Sequence, residues 1–219
     1  FIWVLSASLL AMLVQYLLTT VNIYLFKDYF GSTSALSMVG AIQMIAMFVC
    51  LPLVKPLVAK FGKKETALIG MSITTIVYTV LFFLKDLSAM QFVGIVAVGT
   101  FSMYLYNFVT WAFITDVTDY HEYKTSVRED ATVYGIIAMA RKVGLALAGG
   151  IGGAAIAAVG YDATRGTQTQ EVLDGIYALG TIVPAILYGL VVLVLFMYPL
   201  NKKKTAQLAE DLAAKRANS

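Results

Sequence analysis

Six long apolar stretches dominate this chain, at about 1–26, 35–54, 66–84, 89–115, 131–160 and 175–199. Each meets the roughly 20 residues that a helix needs to cross the hydrocarbon of a bilayer. Five of them contain no Asp, Glu, Lys or Arg. Such runs cannot all be buried within a soluble domain of 219 residues. They predict an all-α membrane protein with six transmembrane helices. Charged residues make up only 13% of the chain, against about 25% in soluble domains. That deficit excludes disorder, a basic nucleic-acid binder and an ordinary water-soluble enzyme. The single cysteine, Cys50, allows no internal disulfide and is read as a buried thiol.

The polar connections differ by side. Lys27–Ser34, Lys85–Ser88 and Tyr161–Asp174 follow the first, third and fifth spans and hold three basic residues. The links after the second and fourth spans, together with the tail, hold 11. The positive-inside rule therefore puts these links and both ends of the segment in the cytoplasm. The expected organisation is a six-helix bundle over 1–200 and a cytoplasmic tail over 201–219. The expected location is the bacterial cytoplasmic membrane. Leu208 and Leu212 mark the tail as a helix, read either as a contact with anionic lipid or as a solvated stop-transfer tail. Phe1 already lies in an apolar run without a signal-peptide pattern, so the chain is expected to begin partway through a larger protein.

Arg141 and Lys142 are the two cations left inside a span. Lys142 lies about 16 Å along the fifth helix, near mid-membrane, at roughly 1.5 Å per residue. A charge there costs at least about 2.5–3.5 kcal/mol and is tolerated beside water or a counter-charge. Lys142 is accordingly a candidate substrate-binding residue. Arg141 either shares that role or pairs with a neighbouring helix.

Other spans carry scattered polarity. Gln15, Thr19 and Asn22 form one stripe on the first helix, and Tyr104, Asn107 and Trp111 form one on the fourth. Aromatic rings against sugar faces, with amides on hydroxyls, suit a carbohydrate cavity; interhelical hydrogen bonds are the competing explanation. Gln15, Asn22, Asn107 and Trp111 join the substrate-binding set. The cluster Asp116, Asp119, Tyr120, Glu122, Lys124 and Arg128 is either a network holding helix ends in one conformational state or a solvated loop. Within it, Asp119, Glu122 and Lys124 are expected to form salt bridges. His121 is read as a loop residue in preference to a proton sensor. Lys55–Glu65 is expected to be a short turn around Gly62. In the fifth helix, Gly144–Ala148 and Gly149–Gly153 are small-residue pairs suited to close packing. No phosphate-cradling loop, metal-ligand spacing or nucleophile elbow indicates an enzyme, a metal site or a cofactor.

The run Asp116-x-x-Asp119-Tyr120-x-Glu122-x-Lys124-Thr125-x-x-Arg128 resembles the signature of the glycoside–pentoside–hexuronide:cation symporters, melibiose-permease-like members of the major facilitator superfamily. The likeness continues through Arg141-Lys142-Val-Gly144-Leu-Ala146-Leu, Gly160-Tyr161, Tyr24-Leu-Phe-Lys27 with Gly31, Pro56–Lys64 and Tyr198-Pro199-Leu200. It covers nearly the whole chain, in the order of the C-terminal half of such a transporter.

The resemblance implies cation-coupled sugar or glycoside symport by alternating access, with an N-terminal six-helix half as partner. The coupling cation, Na⁺ or H⁺, would be bound mainly by that half. The resemblance puts Lys142 in the central cavity. It makes Asp119, Glu122 and Arg128 part of a cytoplasmic network that stabilises one access state. An aromatic that lines the family's cavity aligns with Asn107, with Trp111 one turn later. Arg141 stands where a neutral residue is common, which points to an anionic substrate or to a carboxylate in the other half. Two alternatives remain: the same fold moving a lysolipid or other non-sugar solute, and a transport-inactive sensor or structural subunit.

Overall fold

The computed structural model describes residues 1–217, and among these the secondary structure is helical. The helices are α1 (Ile2–Tyr24), α2 (Thr33–Phe61), α3 (Lys63–Phe83), α4 (Ala89–Thr125), α5 (Asp130–Ala158), α6 (Gln170–Gly180), α7 (Ile182–Met197) and α8 (Lys202–Ala217). Six spans are long and apolar enough to cross a membrane: Ile2–Tyr29, Thr33–Phe61, Lys63–Phe83, Ala89–Thr125, Asp130–Ala158 and Gln170–Met197. The chain is an integral membrane protein.

Helix boundaries differ from the sequence reading in three places. First, α2 runs through Pro52 and Pro56 to Phe61, so the turn to α3 narrows to Gly62. Gly62 has φ +103°, and a Cβ there would meet Lys202 Cβ at 2.8 Å, so glycine is needed. Prolines are tolerated inside membrane helices because neighbouring groups satisfy the freed carbonyls. Second, α4 has 37 residues, about 55 Å at 1.5 Å per residue, far longer than a hydrocarbon core of about 30 Å. Its last turns therefore carry the Asp116–Lys124 charges out of the membrane as helix. A capping box between Ser88 and Gln91 fixes its other end. Third, the last span is two helices, broken at Thr181.

Five close pairings order the spans as α5–α1–α7–α3–α4–α2. The two ends of this series are the least covered. Only 17% of the most apolar stretch of α2 and 22% of that of α5 is buried, against 39–44% for the other four spans. Phe26, Phe92, Tyr106, Phe113 and Tyr188 fill the core between the covered helices.

On α5, Gly144, Ala148 and Gly152 are buried. A Cβ on Gly144 would meet Met12 of α1 at 3.6 Å, and one on Gly152 would meet Thr20 at 3.0 Å. Gly149 and Gly153 face open space, so only one of the two expected small-residue pairs makes a contact. A four-residue step keeps both members of a pair on one face, and α1 occupies the face of Gly144.

The tail is a helix docked on the bundle. It packs on α4 and α3, burying Leu208 and Leu212. Residues 218 and 219 of the expected tail lie outside the described residues.

Candidate solute site and charged end

Near mid-span, α1, α4 and α5 line an open recess of about 430 Å³, formed by Tyr16, Trp111, Tyr134, Arg141, Lys142 and neighbouring aliphatic residues. The guanidinium carbon of Arg141 lies 5.2 Å from the centre of the Trp111 ring. Trp111 in turn stacks on Tyr134, with ring centres 6.5 Å apart and planes at 19°. Trp111 is 50% exposed and Tyr134 40%, and both line the recess. Neither Arg141 nor Lys142 has an ion-pair partner among the described residues. Three of the six residues expected to contact substrate are thus together. Tyr16 and Tyr134 were missed, although Tyr134 lies seven residues before Arg141, two turns along the same face.

Gln15 and Asn22 are elsewhere. With Thr19, Gln43, Thr74, Tyr78, Thr100 and Tyr188 they line a narrow cavity of about 30 Å³, enough for one or two waters. The Thr74 hydroxyl is satisfied by the carbonyl oxygens of Gly70 and Gly99. On α4, Thr100 at this cavity and Trp111 at the larger recess are eleven residues apart, about 16 Å of helix rise. On α1 the two cavities are reached from adjacent residues, Gln15 and Tyr16, which point to different sides of the helix. Asn107 is half-buried on α4 between the two depths and lines neither.

At the lysine- and arginine-rich end, the acidic cluster divides into two ion-pair systems. Asp116 is buried and pairs with Lys63, the first residue of α3, at 2.5 Å. Arg128 joins Asp119 at 2.9 Å, Glu122 at 2.8 Å and Asp130 at 2.6 Å. Ser126 makes this possible. It ends α4 in the left-handed conformation, φ 59°, and turns the chain back so that Arg128 reaches the helix it has just left. Its three carboxylate partners hold the Arg128 guanidinium in its charged form, raising its pKa further.

Lys124, the second cation expected in the cluster beside Arg128, instead lies over the Tyr120 ring, 5.9 Å from its centre. Arg216 of α8 adds a two-pronged pair to Glu122, at 2.7 and 2.6 Å. Lys202 donates to the Ala59 and Lys60 carbonyls at the end of α2. Lys63 and Arg216 were read only as loop and tail cations, because nothing local marks a pair between residues 53 or 94 positions apart. His121 sits 3.5 Å from Glu129. Among the described residues, no three His, Cys, Asp or Glu side chains converge to hold a metal ion.

The described residues thus form six helices able to span a membrane, with two cations and aromatic rings at a mid-span recess. The chain belongs to the family described as MFS/sugar transport protein, which it matches over residues 1–202. It is 29% identical to an uncharacterized symporter of Bacillus subtilis, covering 88% of this chain and 42% of that protein. It is 32% identical to a glucuronide carrier protein homolog of Escherichia coli, covering 74% of this chain and 35% of that one. It is 29% identical to an isoprimeverose transporter of Lactiplantibacillus pentosus, with 90% and 41% covered. The chain therefore spans about two fifths of the length of these relatives. The family and these relatives are transporters, not enzymes.

Proposed function

We propose that this chain is the C-terminal half of a cation-coupled sugar or glycoside symporter, and that the recess at Lys142 binds the solute. One observation carries this reading. Helix α5 is barely covered, yet it holds two cations near mid-membrane beside an exposed indole. A helix face of that kind is costly against lipid and is stable against water or another protein surface. The open flanks of α2 and α5 fit a second six-helix half, and the match to only two fifths of each relative supports that partner. Two halves rocking about a midplane site would then expose the recess to each side in turn.

A gradient of Na⁺ or H⁺ would drive the cycle, with the cation held mainly by the other half; relatives named as symporters support coupling. The 11-to-3 split of loop and tail basic residues supports a cytoplasmic location for the Arg128 end and for both ends of the segment, in a bacterial cytoplasmic membrane. The pairs at Asp116, Asp119, Glu122 and Arg128 would hold the helix ends there in one access state, with Tyr120 and Lys124 at their edge.

The test is Lys142→Ala in the full-length protein reconstituted into vesicles. Gradient-driven uptake and equilibrium binding of sugar should both fall at least tenfold. Unchanged binding and uptake would remove Lys142 from the site, and uptake indifferent to any ion gradient would remove the coupling.

A further inference from the structure

Lys64 and Lys202 have their ammonium groups pinned at helix ends. Lys64 Nζ donates to the carbonyl oxygens of Phe196 and Tyr198 at the end of α7. Lys202 Nζ donates to those of Ala59 and Lys60 at the end of α2, at 2.6 and 3.0 Å. Carbonyls at a helix C-terminus attract a cation but carry no full charge to cancel it. An ammonium has three donors, so each lysine keeps one. Both line a pocket of about 250 Å³ between the α2–α3 turn and the start of α8, together with Gly62, Lys63 and Asn201. Lys60, Lys203 and Lys204 flank it in sequence, and none of these three has a carboxylate partner among the described residues. Two carboxylates offset part of this charge: Asp116 is spent on Lys63, and Glu65 follows Lys64 in α3. Six lysines against two acids leave the pocket strongly positive.

The same end of the bundle adjoins an apolar outer face. Ile69, Ile73 and Ile76 of α3 and Leu190, Leu193 and Met197 of α7 are all exposed. Each trio keeps to one side of its helix, and the two helices pack together. The Lys64 ammonium lies 5.8 Å from the centre of the exposed Phe196 ring, where this face ends and charge begins. A cation beside an aromatic ring at the rim of an apolar face is the pattern of a helix end at headgroup depth. In the order α5–α1–α7–α3–α4–α2, α3 and α7 stand at the middle, away from the open flanks of α2 and α5. Bilayer lipid is the neighbour left for this face.

We propose that this pocket binds one anionic phospholipid, its phosphate on the free N–H groups of Lys64 and Lys202 and its acyl chains along the α3–α7 face. The two ammonium groups are already fixed, so charge-assisted bonds to them cost little further ordering. A choline headgroup brings its own cation among the lysines and binds less well. The site is separate from the solute recess and does not rest on sugar transport.

The experiment uses the full-length protein, stripped of lipid in detergent and given phosphatidylglycerol or phosphatidylcholine of the same chains. Native mass spectrometry should show phosphatidylglycerol retained on at least threefold more molecules than phosphatidylcholine. Hydrogen exchange over 60–66 and 200–206 should slow with the first lipid and not with the second. Lys64→Gln with Lys202→Gln should lower retention at least threefold, whereas Lys27→Gln with Lys85→Gln, at the other end of the spans, should keep it. Where the first pair of changes prevents folding, Lys203→Gln with Lys204→Gln should lower retention at least twofold. Glycerol 3-phosphate slowing exchange as much as the lipid does would make this a site for free phosphate and overturn the proposal. So would equal retention of the two lipids, slowed exchange elsewhere in the chain only, or retention untouched by Lys64→Gln with Lys202→Gln in a variant with native melting temperature.

Discussion

Lys63 and Asp116 form an ion pair that ties the start of α3 to α4, with the Asp116 side chain only 4% exposed. Removing one partner of such a pair strands a buried charge, at a cost of about 3–5 kcal/mol, whereas replacing both by apolar groups is often neutral. Lys63→Met should therefore lower the melting temperature of the full-length protein markedly. Lys63→Met combined with Asp116→Leu should recover most of the loss. Equal melting of the two variants would show that the pair contributes nothing beyond its separate charges.

Helix α8 is held by two kinds of contact, and they should separate. Arg216 is half-exposed, and Glu122, 14% exposed, keeps Arg128 as a partner when Arg216 is removed. Arg216→Ala is expected to leave melting nearly unchanged. Leu212 is 4% exposed, so Leu212→Asp would force a carboxylate into an apolar seat. Hydrogen exchange over 202–217 should rise steeply in that variant and only slightly in Arg216→Ala.

Gly70 sits where α3 meets α4, and a Cβ there would come within 2.5 Å of the Ser102 carbonyl oxygen. Backbone cannot yield as a side chain can. Gly70→Val should cost about 1–3 kcal/mol or prevent stable assembly. Gly149→Ala, with open space around it, should stay within about 0.5 kcal/mol of the native protein. Detergent melting curves of the two variants check the contrast.

The two recesses make a prediction about additivity. Thr100 and Trp111 are about 16 Å apart along α4, and sites more than about 10 Å apart act independently. The effects of Thr100→Val and Lys142→Ala on sugar affinity should add within about 0.5 kcal/mol. Arg141→Gln and Trp111→Leu remove the same stacked contact, so their effects should fall short of additive by about 0.5–1 kcal/mol. Binding measured on both double-mutant cycles decides the matter.

How much of the site could be read in advance depended on the range of the signal. Arg141 and Lys142 stood out because a charge inside an apolar run is conspicuous within twenty residues of sequence. Gln15 and Asn22 were grouped with them because amides in a membrane helix suggest a polar cavity, and they do line one. Which cavity each residue of α1 lines depends on how that helix is packed between α5 and its other neighbours, and no single helix encodes that. The stripe of Asn107 and Trp111 was sound as helical geometry, but only Trp111 is at the depth where α5 brings Arg141 across. Lys124 seemed the natural partner for Glu122 because it is near in sequence. Arg128 and Arg216 reach that carboxylate because Ser126 reverses the chain and α8 folds back.

By itself the sequence determined that this protein lives in a bilayer, where it crosses, and that two cations lie deep in the fifth span, because apolar length and the cost of buried charge act on single helices. The tertiary structure decided what those cations meet: an indole and a tyrosine ring on one side, and no carboxylate among the described residues. Such contacts join residues tens of positions apart, and only the packing of α1, α4 and α5 sets the register at which they come together.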